Sequence, residues 1–195
     1  LRLRGNAMQE AVPIGKGAMA AFIGVDIDIT KKILDQVKID GICDIGNDNA
    51  DGQVVISGDK TAVEKAIKIS KDFGVKRAVI LPVSAPFHCR LMLPAQLIMK
   101  EALANTNFSL PIIPIVSNTT ALPENDIDQL KKNLIDQVTS TVRWRETMHL
   151  ANKLGTKKII ELGSGKVLTS IAKRMIENVF VYNLEKPSDF DQLKK

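Results

Sequence analysis

The chain has 195 residues, with 27 Lys and Arg against 22 Asp and Glu, which gives a formal charge of +5 at pH 7. Hydrophobic residues make up 45% and charged residues 25% of it, a balance that excludes disordered, collagenous and fibrous proteins. No apolar run reaches the length of about eighteen residues that a membrane-spanning helix needs, and no secretory signal is recognisable. We therefore expect one domain or two small ones, with no membrane association, in the cytoplasm.

The cysteine content supports the same location. Cys43 and Cys89 are the two cysteines of the sequence, and they form no C-x-x-C pair. This spacing argues against a disulfide framework and against a structural zinc site, and it is typical of a reducing compartment. We expect no metal site.

The first residues predict a helix that is already under way at Leu1. Leu1, Met8 and Val12 recur at helical spacing, and no Ser, Thr, Asp or Asn precedes them as a cap. We expect either that upstream residues were removed or that these residues are part of a longer protein.

Residues 18–81 show the signals of a βαββαβ unit. The predicted elements are a strand at Ala18–Val25, a helix capped by Asp28, strands at Ile42–Ile45 and Gln53–Ser57 joined by the turn-rich stretch 46–52, a helix opened by a capping box at Thr61–Glu64, and a strand at Arg77–Leu81. This order is the split-βαβ plan of a ferredoxin-like unit.

Strands and helices alternate in the rest of the chain. The predicted elements are a helix at Leu91–Ala104, a strand at Ile112–Ser117, helices at Glu124–Gln137 and Glu146–Leu154, a strand at Lys158–Leu162, a helix at Lys166–Glu177, a strand at Val179–Leu184 and a frayed polar tail at Pro187–Lys195. Such alternation indicates a parallel sheet covered by helices.

A glycine-rich stretch, Gly163–Lys166, could bind a phosphate at a helix N-terminus. A Walker loop, however, needs a glycine where Ile160 stands and a Ser or Thr where Val167 stands. We interpret the stretch as a tight turn between a strand and a helix. No G-x-S-x-G motif occurs in the sequence, so the nucleophile elbow of a hydrolase-like enzyme is absent from it.

The two histidines differ in their setting. His88 lies in a proline-punctuated loop where the two predicted units meet, and binding clefts commonly form at such junctions. Taken alone, a loop histidine is more often a surface residue than a catalyst. His149 lies inside an amphipathic helix and is expected to be structural, while Cys89 beside His88 is expected to be buried. Arg4 is either a solvated helix residue or a bidentate clamp for a carboxylate.

The positive net charge makes nucleic acid a candidate partner. A ferredoxin-like unit that binds RNA presents stacking aromatics on its strands, but the segment 53–58 has none and the first strand has only Phe22. An acidic protein partner therefore fits better than nucleic acid, and an RNA-binding module is the less favoured alternative.

Several short blocks follow one another along the chain in a recognisable order. They are Arg4–Gly5, Met8–Pro13, Gly17–Ala20, Asn47–Gly58, Leu81–Cys89, Val142–Trp144 and Glu161–Leu168. In these blocks the sequence closely resembles the malonyl-CoA:acyl carrier protein transacylases of fatty acid synthesis. The resemblance covers essentially the whole chain. It implies part of an α/β-hydrolase-like parallel-sheet core, residues 1–14 and 83–195, with an inserted ferredoxin-like subdomain, residues 15–82.

The resemblance also implies an activity and its residues. Members of this family move malonyl from CoA to a serine in a G-H-S-x-G turn, and then to the phosphopantetheine thiol of acyl carrier protein, without a cofactor. His88 matches the base that activates the serine, and Gln137 matches the residue whose backbone carbonyl orients that histidine. Arg4 matches the arginine that pairs with the malonyl carboxylate, and Phe87 the bulky residue that disfavours α-branched acyl groups. Three further residues are expected to line the cleft: Met8, Asn47 and Asn49.

The sequence departs from the family in one important respect. The G-H-S-x-G serine and the G-Q-G loop of the oxyanion hole precede the residue that matches Arg4 in the family, and neither motif occurs here. The sequence thus predicts a base and a carboxylate clamp without their nucleophile. Two hypotheses follow: the chain is part of a malonyl transacylase whose serine lies elsewhere, or it is a remnant that binds a partner or ligand without catalysis.

Overall fold

The computed structural model describes residues 1–194, which divide into two compact units, residues 1–144 and a second unit that begins at Arg145. The elements of the first unit are α1 (Arg2–Glu10), β1 (Gly17–Ile23), α2 (Ile27–Gln36), β2 (Cys43–Ala50), β3 (Gln53–Asp59), α3 (Lys60–Ile69), β4 (Arg77–Ile80), α4 (Leu93–Ala104), β5 (Ile115–Val116), β6 (Pro123–Glu124) and α5 (Ile127–Asp136). Those of the second are α6 (Trp144–Lys153), β7 (Lys158–Leu162), α7 (Val167–Met175) and β8 (Phe180–Leu184). The first residue of α6, Trp144, is the last residue of the first unit. No helix in the described residues is long and apolar enough to cross a bilayer.

Four antiparallel strands form the main sheet of the first unit, in the order β2-β3-β1-β4. The sheet shares one apolar core with α2 and α3, in which Phe22, Ile33, Ile56 and Val63 are fully buried. Burial of a side chain of this size stabilises the fold by about 1.5–3 kcal/mol. Strand, helix, strand, strand, helix and strand follow one another along residues 17–80.

The loop predicted at residues 46–52 is wrong over most of its length. The structure continues β2 to Ala50, with irregular pairing to β3 after Ile45 and after Asp48. Val142 provides the reason: its N–H donates to Gly46 O at 2.8 Å, and its carbonyl accepts from the Asp48 N–H at 2.9 Å. A distant segment thus satisfies backbone groups that a surface loop would leave to water.

The starts of two helices also differ from prediction. Helix α2 is capped by Asp26 rather than Asp28, because the Asp26 carboxylate accepts from the Ile29 N–H at 2.8 Å. Helix α3 has Asp59 at its N-cap position and no side-chain cap, so the capping box predicted at Thr61 is wrong. The Asp59 carboxylate instead accepts from the Ile42 N–H at 2.7 Å.

A second apolar core joins α1, α4 and the segment after β4. It contains Met8, Ala85, Met92, Met99 and Val138, all less than one tenth exposed. The last turn of α5 leads directly into this core through Val138. This packing brings α1 and α5 to the segment that carries His88.

The segment before α5 forms less regular structure than predicted. The strand expected at Ile112–Ser117 is reduced to Ile115–Val116, paired with β6. Pro111 and Pro114 have no N–H to donate to a strand partner, which limits pairing here. Helix α5 begins at Ile127, after the Asp126 cap.

The second unit contains the parallel pair β7 and β8, with α7 between them in sequence. Gly163 and Gly165 have φ angles of 132° and 85°, which glycine adopts readily, so the Gly163–Lys166 stretch is a turn. The Glu161 carboxylate accepts the N–H groups of Leu168 and Thr169 at 3.2 and 2.8 Å and so caps α7. A short 3-10 helix covers Pro187–Lys194, where a frayed tail was predicted, and Lys195 lies outside the described residues.

Candidate active site

The imidazole of His88 makes a direct contact with the end of α5. Its Nδ1 lies 2.9 Å from the backbone carbonyl oxygen of Gln137. A carbonyl only accepts hydrogen bonds, so the neutral ring carries its proton on Nδ1 and leaves the Nε2 lone pair unprotonated. An imidazole in this tautomer can remove a proton from a hydroxyl or thiol.

His88 has an unusual backbone conformation. Its φ is 61°, in the left-handed region, which costs a residue with a side chain roughly 1–2 kcal/mol. Non-glycine residues in such conformations persist only where their surroundings hold them, and they cluster at functional sites. The backbone of His88 is therefore held by contacts on both sides of it.

Contacts on the N-terminal side of His88 fix the loop to β1. The Pro86 ring occupies the space beside Gly17: a Cβ added at Gly17 would lie 2.3 Å from Pro86 Cγ. The thiol of buried Cys89 donates to the Pro86 carbonyl at 3.0 Å. The side chains of Ser84 and Gln9 are hydrogen-bonded at 2.6 Å, which fastens the start of the loop to α1.

The C-terminal side of His88 is fixed to β2. Arg90, two residues after His88, forms an ion pair with Asp44, with Nη2 and Oδ1 2.8 Å apart. The Asp44 carboxylate also accepts the backbone N–H of Arg90 at 2.9 Å. Neither residue was predicted from the sequence to belong to the site. A pair 46 positions apart leaves no local signal, because only the fold brings β2 beside this loop.

Gln137 presents its carbonyl at the C-terminus of α5. The last carbonyls of a helix lack partners within the helix and carry the negative end of its dipole. The side-chain Nε2 of Gln137 donates to Ser140 O, three residues later, at 2.9 Å. The backbone N–H of Gln137 donates to Asn133 O at 3.0 Å. These two bonds hold the peptide whose carbonyl accepts from His88.

Three influences set the pKa of His88. Burial lowers the pKa, the hydrogen bond to Gln137 O raises it, and the positive charge of Arg4 lowers it. Burial is the largest of the three, so the pKa lies below the ordinary 6.5 and the imidazole is neutral at pH 7. Burial also lowers the pKa of Arg4, but a guanidinium keeps its charge at any physiological pH. A neutral imidazole and a partly desolvated guanidinium therefore lie within electrostatic reach of each other.

The other predicted site residues occupy different surroundings. Met8 is only 3% exposed and packs in the second core, one helical turn after Arg4. Phe87 is half-buried against the second core and against a small cluster of Met19, Ala21 and Val55 on the main sheet. Asn47 and Asn49 are half-buried on β2, in a stretch that was predicted to be a loop.

A surface groove of about 930 Å³ lies beside the Asp44–Arg90 pair. Charged residues and hydroxyls dominate its lining, with Lys31, Asp35, Asp59 and Ser140 among them, and none of the predicted site residues belongs to it. The groove and the His88 site are thus different features of the first unit. The residues described contain no group of His, Cys, Asp and Glu side chains that could hold a metal ion.

Comparison with known proteins tests the resemblance directly. No protein-family model matches the chain. The malonyl CoA-acyl carrier protein transacylase of Escherichia coli (strain K12) is 39% identical over 188 residues, which is 96% of this chain and 61% of that protein. The predicted resemblance to the malonyl-CoA:acyl carrier protein transacylases is confirmed. The chain spans about three fifths of the length of the relatives that it matches.

Solved transacylase structures have the same mixed α/β fold. An acyl-carrier-protein-S-malonyltransferase from Bartonella henselae superposes with a TM-score of 0.92 at 44% identity, covering 98% of this chain and 61% of that one. A malonyl-transacylase in complex with its type II PKS acyl-carrier protein gives a TM-score of 0.91 at 36% identity, covering 98% of this chain and 63% of that one. The fold of this chain is therefore that of a large part of a transacylase.

Proposed function

We propose that this chain is part of an acyltransferase that moves malonyl from CoA to the phosphopantetheine thiol of acyl carrier protein in fatty acid biosynthesis. The observation that carries the proposal is the 2.9 Å contact between His88 Nδ1 and Gln137 O, together with 39% identity to a transacylase over 96% of the chain. The contact leaves Nε2 of His88 as a base, which is the group that acyl transfer through a serine requires.

The roles of the residues follow from the chemistry. His88 takes the proton of the nucleophilic serine as its oxygen attacks the malonyl thioester, and gives it to the leaving CoA thiolate. In the second half-reaction it takes the proton of the carrier-protein thiol as that sulfur attacks the malonyl-serine ester, and gives it to the leaving serine oxygen. The Gln137 carbonyl keeps the imidazole in the required tautomer and stabilises the imidazolium that forms in each half-reaction. In this proposal the serine is supplied by residues outside these 195, since the sequence holds no G-H-S-x-G motif.

Arg4 supplies selectivity for malonyl. Its partly buried guanidinium can bind the free carboxylate of malonyl through two parallel hydrogen bonds. Acetyl lacks that carboxylate and loses the interaction. Phe87, directly before the base, limits the room for α-branched acyl groups, and three residues line the remaining cleft: Met8, Asn47 and Asn49.

The domain organisation is proposed on the same basis. The strand order β2-β3-β1-β4 with two helices is consistent with the plan of a ferredoxin-like unit and supports the proposal of a subdomain at residues 15–82. Residues 1–14 and 83–195 would then belong to an α/β-hydrolase-like core, to which the parallel pair β7 and β8 contributes.

The acidic acyl carrier protein suits a chain of net charge +5. Two free cysteines support a cytoplasmic location.

A chimera tests the proposal. The 188 aligned residues of the Escherichia coli transacylase are replaced by this chain, so that the remaining residues of that protein supply the serine. We expect the chimera to transfer radiolabelled malonyl from CoA to holo acyl carrier protein, and His88→Ala to abolish transfer while leaving the circular dichroism spectrum unchanged. The matched control is His149→Ala, which alters the other histidine and is expected to keep activity. A folded chimera that is inactive, or a His88→Ala variant with full activity, would overturn the proposal.

A further inference from the structure

One carboxylate fixes both the backbone and the side chain of Arg90. The carboxylate of Asp44, on β2, accepts hydrogen bonds from the Arg90 side chain: Nε lies 3.0 Å from Oδ2 and 3.1 Å from Oδ1, and Nη2 lies 2.8 Å from Oδ1. Oδ2 also accepts a hydrogen bond from the Arg90 backbone N–H at 2.9 Å. Arg90 is the second residue after His88 and opens the 3-10 turn that leads into α4. The ion pair therefore ties the main sheet to the chain immediately beyond the imidazole.

We propose that the Asp44–Arg90 ion pair positions His88, holding its left-handed backbone so that Nδ1 stays against the carbonyl of Gln137. The importance of this for acyl transfer rests on the proposed function, but the positioning itself is a property of the folded chain.

The loop needs a restraint at both ends for this conformation to persist. Before His88, Pro86 is packed against Gly17 and bonded to the Cys89 thiol. After His88, Cys89 is fully buried, and the Asp44 carboxylate then fixes the main chain at Arg90, the first residue of the 3-10 turn. If that second restraint were lost, φ of His88 could relax from +61° to the negative values that L-residues prefer. The imidazole would then leave the Gln137 carbonyl.

The geometry of the pair suits orientation better than stability. The Arg90 side chain is 67% exposed and that of Asp44 22% exposed, so solvent screens much of their attraction. The guanidinium nevertheless contacts the carboxylate through both Nε and Nη2, a forked arrangement that a point charge cannot reproduce. Loss of this arrangement should therefore change the tautomer and the pKa of His88 while changing the melting temperature of the chain only slightly.

Nuclear magnetic resonance of the 195-residue chain can test this without any assay of activity. The sequence has only two histidines, so a His149→Gln variant assigns the ring signals of His88. The 15N shifts of the ring nitrogens report the tautomer, and titration of the same signals reports the pKa. In the wild-type chain we expect the Nδ1–H tautomer and a pKa below the ordinary value.

Two variants separate position from charge. Arg90→Lys keeps the positive charge and loses the planar fork, while Asp44→Asn keeps the shape and loses the negative charge. If the pair positions His88, both variants lower the fraction of Nδ1–H tautomer. Because the released imidazole becomes more exposed, and burial is the largest influence on its pKa, both variants also raise the pKa of His88 towards its ordinary value. If the pair acted only through its charges, Asp44→Asn would lower the pKa of His88, because a nearby anion is removed, and Arg90→Lys would leave it unchanged.

The matched control breaks another exposed ion pair. Asp28→Asn removes the 3.0 Å ion pair between Lys31 and Asp28 on α2. It should leave the tautomer fraction and the pKa of His88 unchanged. Circular dichroism melting establishes that each variant is folded. Unchanged tautomer and pKa in both Asp44→Asn and Arg90→Lys, or the opposite pattern expected from charge alone, would overturn the proposal.

Kinetics of the chimera then connects position to function. In the chimera we expect Arg90→Lys to lower kcat by on the order of tenfold to a hundredfold, since small misplacements of a catalytic group have effects of that size, while KM for malonyl-CoA stays the same. A fall in kcat below twofold would overturn the link to transfer. An inactive wild-type chimera would instead overturn the proposed function, and the magnetic resonance result on the chain would stand.

Discussion

His88 Nδ1 and the carbonyl oxygen of Gln137 lie 2.9 Å apart, although 49 positions separate the two residues in the sequence. A backbone carbonyl takes the place that a buried carboxylate has in many serine hydrolases. It fixes the tautomer as a carboxylate does, but it brings no negative charge to offset the burial that lowers the pKa of the ring. The imidazole of His88 is therefore neutral over a wider range of pH than an imidazole paired with a carboxylate.

This arrangement predicts how stability depends on pH. The pKa of His88 in the folded chain lies below its unfolded value, so between the two values the unfolded chain binds more protons. The contribution of neutral His88 to the free energy of unfolding is then fully present above pH 6.5, and it is lost as the pH falls from there towards the pKa of the folded chain. Urea unfolding of the wild-type chain and of His88→Gln should show a smaller loss of unfolding free energy between pH 7 and pH 5 in the variant. Parallel profiles would contradict a lowered pKa.

Gly17 is predicted to be essential for the loop. In Gly17→Ala the new Cβ would lie 2.3 Å from Cγ and 2.4 Å from Cδ of the rigid Pro86 ring, so the loop must shift. We expect a loss of unfolding free energy of about 1–3 kcal/mol, measured by urea denaturation, together with a lower fraction of the His88 Nδ1–H tautomer.

Gly5 offers the matched control for that substitution. It lies within α1, and apart from the helix's own nearby backbone no atom lies within 4 Å of the position that its Cβ would take. Gly5→Ala should stabilise the chain by roughly 0.5–1 kcal/mol, because alanine favours the helix. Equal unfolding free energies for the two variants would show that the contact between Gly17 and Pro86 does not constrain the loop.

Local signals in the sequence were sufficient where an element is defined by its own residues. The strand Lys158–Leu162 has the predicted bounds, because its alternation and flanking turns specify it. Asn47 and Asp48 instead read as a loop, since only the backbone contacts from Val142 make them strand residues. The same reason applies to the site: the loop position of His88 was predictable, but its left-handed φ and its fastening to Asp44 depend on residues far away in the sequence.

Neither cysteine is expected to react in the folded chain. Burial raises the pKa of Cys89 to about 11 and that of Cys43 to about 12, so almost no thiolate is present at pH 8. Ellman's reagent should modify no thiol in the native chain and both thiols in guanidinium chloride. A Ser84→Cys variant, in the exposed part of the same loop, is the control and should react at once. Rapid modification of Cys89 in the native wild-type chain would show that the His88 loop opens.

Arg4 is predicted to determine selectivity between acyl groups. Removing a charge-assisted hydrogen bond to a partly desolvated group costs about 1.5–3 kcal/mol, so Arg4→Ala in the chimera should lower the malonyl-to-acetyl ratio of kcat/KM about tenfold to a hundredfold. Most of the loss should fall on malonyl, since acetyl has no carboxylate to bind. Arg2→Ala is the matched control, because Arg2 lies on the same helix but is exposed. Competition assays with both thioesters measure the ratio, and the same ratio in Arg4→Ala and Arg2→Ala would rule out Arg4 as the residue that binds the carboxylate.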